Sequence, residues 1–193
     1  MKKCWFVAML CACVFFGCRS LGISMLGVRQ HYDDLSREEQ SLVVWTQPEE
    51  FIGHVANDGR IYAITGEQLR MMIEESPRSL LYTWDPICKS EKCVSLEYLQ
   101  RLCNERSVEL YVVVDYFYGA FSQNIELTDH PLFVKNSEVY GTDRCKPLEK
   151  MFLVDLLGNH IYDENAETIW YRYLYFEDGK FVKTVREPSI DIQ

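Results

Sequence analysis

A strand-like segment that runs into a proline and two cysteines constrains the fold of this chain most. Residues 79–84 are largely apolar, Pro86 and Cys88 follow, and residues 91–106, which include Cys93, carry leucines at helical spacing. A buried strand that alternates with an amphipathic helix predicts a parallel sheet covered by helices. A thiol placed where the strand turns into the helix lies near the positive end of the helix dipole, which favours the thiolate.

The segments around this point continue the alternation. Two residue pairs fit capping boxes and each predicts a helix start: Ser36 with Glu39, and Thr65 with Gln68. The helix that begins at Ser36 would run to about residue 44 and would be followed by an irregular stretch over 45–59. Asp178-Gly179 predicts a two-residue hairpin turn. The predicted elements are a strand at 61–64, a helix from 65 to about 76, strands at 80–84 and 108–116, a helical turn within 121–129, an extended piece at 131–134, a helix at 147–157, and hairpin strands at 170–176 and 180–185.

Two helix starts are compatible with the cysteine spacing. If the helix begins at Asp85-Pro86, both cysteines are helical and their Cα atoms lie about 8 Å apart, beyond disulfide reach. If Ser90 is the N-cap, Cys88 lies in the loop and can fold back onto the helix start. We favour the second arrangement and predict a Cys88–Cys93 disulfide.

The segment over residues 60–186 resembles thioredoxin. Trp84 at a strand end, Pro86, Cys88, and the aromatic-charged-Gly hairpin over 176–181 carry the resemblance. It implies an α/β fold with a central mixed sheet flanked by helices, with Trp84 and Pro86 supporting the cysteines. The chain departs from the family in a C-x4-C pair instead of C-x-x-C, and in having no proline near Tyr171, where the family places a cis-proline.

The N-terminus resembles a bacterial lipoprotein signal. A basic start and an apolar run end in Gly17-Cys18, with Cys18 as the residue to be lipidated. The predicted organisation is a signal peptide over residues 1–17, a tether and N-terminal extension over 18–59, and a thioredoxin-like domain over 60–193. An ordinary secretory signal cut nearby is the alternative. The lipoprotein reading implies a cell-envelope protein, facing the periplasm or the surface, that acyl chains on Cys18 attach to the lipid bilayer.

The acidic balance restricts the partners. The full chain has a net charge of −9, and removal of residues 1–17, which hold two lysines and no acidic residue, brings it to −11. Such a chain repels phosphate backbones and anionic headgroups, so we expect no nucleic-acid partner and a membrane attachment that depends on acyl chains.

The cysteine pair carries the functional hypothesis. We expect a thiol–disulfide protein that acts on protein cysteines of the envelope without a cofactor, with Cys88 as nucleophile, Cys93 as resolving thiol, and Lys89 and Lys92 favouring the thiolate. The alternative is a non-enzymatic lipoprotein that uses the fold as a binding or protective module, with structural cysteines.

Other candidate groups have simpler interpretations. Cys103, on the apolar side of its helix, and Cys145 are expected to be inert thiols. A copper site of the cysteine pair with His130 or His160 is a minor alternative, and no zinc-binding spacing occurs. The aromatic residues of 170–176 are expected to pack against the sheet.

Overall fold

The computed structural model describes residues 29–50, 53, 55–88, 93–121, 125–158, 172–188 and 192. The signal peptide predicted over residues 1–17, Cys18, and His160 lie outside these described residues. Within the described ranges, no helix combines the length and the apolar character that crossing a membrane requires.

Seven strands form one mixed sheet within these ranges, in the order β1-β2-β5-β4-β3-β6-β7. The strands are β1 (Val43–Trp45), β2 (Ile61–Ile64), β3 (Arg78–Trp84), β4 (Glu109–Val114), β5 (Leu132–Lys135), β6 (Tyr173–Glu177) and β7 (Lys180–Val185). The first five are parallel to one another, and β6 runs antiparallel to both β3 and β7. Strand β3 therefore lies between a parallel and an antiparallel neighbour.

Helices cover both faces of the sheet. They are α1 (Arg37–Ser41), α2 (Gly66–Glu74), α3 (Leu96–Glu105), α4 (Ser137–Tyr140) and α5 (Cys145–Leu157), with 3-10 turns at Tyr32–Asp34 and Ile125–Leu127. In β3, Leu80 and Tyr82 pack in the layer that contains α3, whereas Leu81 packs in the layer that contains α2 and α5. Such alternation with both faces buried is expected of a parallel sheet between two helical layers. The predicted α/β class, with a central mixed sheet flanked by helices, is confirmed.

Local signals set most helix starts. Thr65 accepts a hydrogen bond from the backbone N–H of Gln68, and the Gln68 side chain accepts one from the Thr65 N–H, so the predicted capping box forms. Gly66 follows directly, where α2 crosses α5 so closely that a Cβ would lie 2.0 Å from the carbonyl oxygen of Phe152. The glycine permits the close packing of the two helices.

The segment before residue 60 belongs to the sheet in part. Ser36 and Glu39 form the predicted capping box, but α1 ends at Ser41 and does not reach residue 44. Val43–Trp45 instead pairs in parallel with β2 as an edge strand. β-branched and aromatic side chains favour an extended backbone there, and burial of Val43 in the core adds to that preference.

The predicted C-terminal hairpin forms, although Arg172, which the prediction included in the first strand, precedes that strand. Asp178 and Gly179 both have positive φ, of 47° and 75°, and connect β6 to β7. Tyr173 and Tyr175 of β6 are buried, and the Tyr173 ring stacks on Tyr82 of β3 with centroids 4.7 Å apart. The described aromatic residues of this strand thus pack against the sheet, as expected.

Candidate functional site

Strand β3 ends in a tight turn built on Asp85. The Asp85 carboxylate accepts hydrogen bonds from the Ile87 N–H at 3.1 Å and from the Tyr116 hydroxyl at 2.5 Å. The Cys88 N–H donates to the Asp85 carbonyl at 3.2 Å. Burial, followed by this hydrogen bond to Asp85, raises the pKa of Tyr116, so its hydroxyl remains a donor. Asp85 therefore orients the backbone that carries Cys88.

The helix after this turn starts later than either predicted position. Ser95 is the N-cap of α3, and its hydroxyl accepts a hydrogen bond from the Tyr98 N–H. Cys93 consequently lies in the loop, three residues before the first helical residue, Leu96. The helix starts predicted at Asp85-Pro86 and at Ser90 are both wrong. The physical reason is that residues 85–88 are engaged in the Asp85 turn and that Ser95 supplies a competing cap.

Cys88 and Cys93 nevertheless form the predicted disulfide, with Cα atoms 6.1 Å apart. This separation falls in the usual range for disulfides, which the loop position of both cysteines makes accessible. Both residues are partly exposed, whereas Trp84 and Pro86, which precede them, are buried. The bond lies at the carboxyl end of β3, where ligand sites of parallel sheets commonly form.

A cation contacts both sulfur atoms. Nη1 of Arg172 lies 2.6 Å from Sγ of Cys93 and 3.6 Å from Sγ of Cys88. Arg172 directly precedes β6, and its carbonyl accepts a hydrogen bond from the Thr83 N–H of β3 at 2.8 Å. The pairing of β3 with β6 thus places the guanidinium over the disulfide. A guanidinium at this distance stabilises a thiolate whenever the bond is reduced.

Comparison of the whole chain with known proteins gave no match: no protein family, curated protein or solved structure matches it.

The two cysteines have different neighbours. Cys88 lines a groove of about 500 Å³ together with residues of the N-terminal segment and of the loop after β4. The groove-lining residues that the structure describes do not include Cys93, whose sulfur is the closer one to Arg172. Lys89 and Lys92, which the sequence suggested as thiolate-favouring cations, lie outside the described residues. Arg172 supplies that cation in the part of the chain that the structure describes.

A buried polar cluster lies beside the site, after the next strands of the sheet. The Asp115 N–H donates to the Trp84 carbonyl, and the Asp115 carboxylate accepts a hydrogen bond from Nζ of Lys135 at 2.9 Å. Lys135 is only 3% exposed; burial opposes its charge, yet Asp115 and Glu149 hold its pKa above the usual value. The ion pair fixes the loop after β4 against the end of β5.

The two remaining described cysteines stand outside any disulfide. Cys103 is fully buried in α3, and burial raises the pKa of its thiol to about 12. Cys145 is the first residue of α5, and burial, which outweighs the opposing effect of Lys135, raises its pKa to about 11. Both thiols stay protonated at neutral pH, in agreement with the expectation that they are inert.

His130 does not join the cysteine pair. Its ring stacks on Tyr111, and its Nε2 lies 2.9 Å from a carboxylate oxygen of Glu109 at the amino end of β4. The disulfide lies beyond the opposite, carboxyl end of β3, which is parallel to β4. Among the residues that the structure describes, no cluster of three or more histidine, cysteine or acidic side chains is arranged to hold a metal ion.

Arg172 and the groove are the features that the sequence did not indicate. Arg172 is 79 residues away from Cys93 in the chain, and only the register of β6 on β3 brings the two together. One signal could have indicated Arg172. A residue that directly precedes a strand antiparallel to β3 lies near the carboxyl end of β3, where the cysteines follow. The groove depends on packing of the N-terminal segment, for which no local pattern exists.

Proposed function

We propose that the chain is a membrane-anchored envelope protein that exchanges thiols and disulfides with protein cysteines through Cys88 and Cys93. The observation that carries the proposal is the contact of Arg172 with both sulfur atoms of a partly exposed disulfide. A structural disulfide has no need of a cation at its sulfurs. A reactive pair gains from one, because exchange proceeds through thiolates.

The different neighbours of the two sulfurs support distinct roles. In the reduced protein, the Cys88 thiolate attacks one sulfur of a substrate disulfide, a Cys88–substrate bond forms, and the other substrate sulfur leaves as a thiolate. The Cys93 thiolate then attacks Sγ of Cys88, which restores the Cys88–Cys93 bond and releases the second substrate thiolate. Two electrons pass from the cysteine pair to the substrate disulfide. The reverse sequence oxidises a substrate dithiol, with Cys93 as the leaving thiolate beside Arg172.

The finer fold assignment is part of this proposal. The order β2-α2-β3-α3-β4 and the closing β6–β7 hairpin support a thioredoxin-like domain. Strand β5, which precedes α5 and lies between β2 and β4 in the sheet, has no counterpart in the element order on which the resemblance was based.

Membrane attachment is proposed from residues 1–18. We propose that residues 1–17 are a lipoprotein signal and that acyl chains on Cys18 anchor the domain in the envelope. Expression of the full chain in a bacterium with labelled palmitate should give a labelled protein. Cys18→Ser should lose the label and Cys145→Ser should retain it; label on Cys18→Ser would exclude this anchor.

The reduction potential of the Cys88–Cys93 pair tests the exchange chemistry. Equilibration with dithiol buffers should give a value between about −120 and −270 mV, the range of exchange-active pairs. A value below about −300 mV would identify a structural disulfide and favour the alternative of a binding or protective module.

Trapping assigns the roles of the two thiols. Cys93→Ser should accumulate a mixed disulfide on Cys88 when mixed with a labelled peptide disulfide, because no resolving thiol remains. Cys88→Ser should accumulate much less, since Cys93 does not line the groove. Cys145→Ser is the matched control and should turn over like the unaltered protein.

A further inference from the structure

The groove beside Cys88 has a chemistry of its own. Three segments line it. The N-terminal segment, with the 3-10 turn Tyr32–Asp34 and α1, contributes His31, Asp34 and Glu39. The Asp85 turn contributes Ile87 and Cys88, and the loop after β4 contributes Phe117 and Tyr118. Ligands of parallel sheets commonly bind in such a position, outside the carboxyl ends of adjacent strands.

Two large apolar side chains of this groove are exposed. Ile87, next to Cys88, is 48% exposed and Tyr118 is 64% exposed. Phe117, in the loop after β4, is buried and packs edge-on against Tyr32. Exposed apolar groups around a concave site indicate a surface that a partner covers. Since they flank a cysteine, the partner's sulfur and an apolar neighbour would lie together on this surface.

The charged residues of the groove are acidic. The Asp34 side chain is 69% exposed. Hydrogen bonds from Ser36 lower the pKa of Glu39, so the Glu39 carboxylate is ionised at neutral pH. His31 also lines the groove, and its Nδ1 lies 2.7 Å from Oδ2 of Asp34. The remaining ionisable residue types in the described lining are Cys88 and Tyr118. The described lining includes no lysine or arginine. The groove therefore attracts a positively charged partner.

We infer that the groove is the substrate-docking surface for a cysteine-containing polypeptide segment that carries an apolar residue beside its cysteine and lysine or arginine side chains nearby. The inference rests on the proposed function and specifies its substrate class. The apolar residue contacts Ile87 and Tyr118, the cationic side chains lie against Asp34 and Glu39, and the substrate sulfur meets Sγ of Cys88.

A pair of synthetic dithiol peptides tests this inference. Both carry a leucine beside the first cysteine, and they differ in having either lysines or glutamates beyond the second. At pH 8 and low salt, the lysine peptide should reduce the Cys88–Cys93 bond of the full chain roughly tenfold faster than its glutamate twin. The difference should largely disappear at about 1 M salt, where the screening length falls to about 3 Å.

Variants separate docking from chemistry. Asp34→Asn with Glu39→Gln should remove most of the preference for the lysine peptide, and glutamine retains the capping box of α1. Asp33→Asn with Glu38→Gln is the matched control, because it removes the same charge from neighbouring exposed positions outside the groove lining, and it should retain the preference. Ile87→Ser should slow both peptides. The control variant should react with dithiothreitol at the rate of the unaltered protein. The peptide rates of every other variant are compared as the ratio of the lysine to the glutamate peptide, so that a change in the intrinsic reactivity of the bond cancels.

The outcomes distinguish a failure of the docking surface from a failure of the exchange function. If dithiothreitol reduces the bond readily but the two peptides react equally fast, the docking surface is refuted and the exchange function stands. If the control variant loses the preference as fully as the groove variant, overall charge is responsible and the docking surface is again refuted. If dithiothreitol itself fails to reduce the native protein, the proposed function fails.

Discussion

Nη1 of Arg172 lies 2.6 Å from Sγ of Cys93, although the two residues are 79 positions apart in the chain. The contact gives one sulfur of the disulfide a cationic neighbour and leaves the other to line the groove. A disulfide with this asymmetry has a preferred leaving group, since the better stabilised thiolate leaves more readily.

Removal of the Arg172 guanidinium should make the reduced pair less acidic. In Arg172→Met we expect the pKa of the Cys93 thiol to rise by about one unit or more and exchange at neutral pH to slow roughly tenfold. The pH dependence of alkylation of the reduced protein measures the pKa. Arg101→Met, an exposed arginine on α3, should leave the profile unchanged. An unaltered profile in Arg172→Met would show that the arginine has no electrostatic role.

The disulfide should contribute little to stability. It closes a short loop, so cross-linking lowers the entropy of the unfolded chain by an amount worth about 2 kcal/mol at most. Urea unfolding of Cys88→Ser with Cys93→Ser should therefore show a free energy of unfolding lower by no more than this. A loss of about 4 kcal/mol or more would indicate that the bond is chiefly structural.

The buried ion pair should be essential to the fold. Asp115→Asn leaves the Lys135 ammonium buried without its partner, and we expect the free energy of unfolding to fall by about 3–5 kcal/mol. Glu105→Gln, which removes an exposed partner of Arg101, should change it by no more than about 0.5 kcal/mol. Equal effects of the two substitutions would contradict the burial argument.

Stability should decline in alkali through the buried thiols. The pKa of Cys103 is raised from 9.0 to about 12 and that of Cys145 from 9.0 to about 11. As the pH rises above 9, the unfolded thiols lose protons first, so the folded state binds more protons and its stability falls. The slope should approach about 1.4 kcal/mol per pH unit for each thiol.

The slope of the free energy of unfolding against pH should be compared between the variants and the unaltered protein over pH 9 to 10, because tyrosines add to this slope at higher pH. Cys103→Ala and Cys145→Ala should each reduce this slope, independently of any constant loss from a cavity. Denaturant midpoints measured at intervals across the window provide the slope. A slope that neither substitution changes would show that the thiols titrate alike in both states.

Local patterns predicted the secondary structure because the responsible interactions are local. The capping boxes at Ser36 and Thr65 and the turn at Asp178-Gly179 each depend on groups within a few residues. The insertion of β5 between β2 and β4 has no such signal, since parallel strands do not encode their order in their own residues. The start of α3 was missed because two serines, Ser90 and Ser95, are equally good caps in isolation.

The sequence predicted only those parts of the site that belong to one continuous segment of the chain. Cys88 and Cys93 are close in sequence, and their bond was predicted correctly although the Ser90 helix start on which that prediction depended was wrong. Arg172 depends on the register of β6 against β3, and Asp34 and Glu39 depend on where the N-terminal segment packs. Contacts of this kind become visible only when tertiary structure is known.

Among the strands that the structure describes, the two outermost ones affect how the protein behaves at high concentration. At one margin β1 offers only three residues, and at the other β7 carries Lys180 and Lys183 on exposed positions. A very short edge strand and an edge strand that carries lysine side chains both pair poorly with a strand of a neighbouring molecule. Crowding of many copies on one surface should therefore not lead to growth of continuous β-ribbons from one molecule into the next.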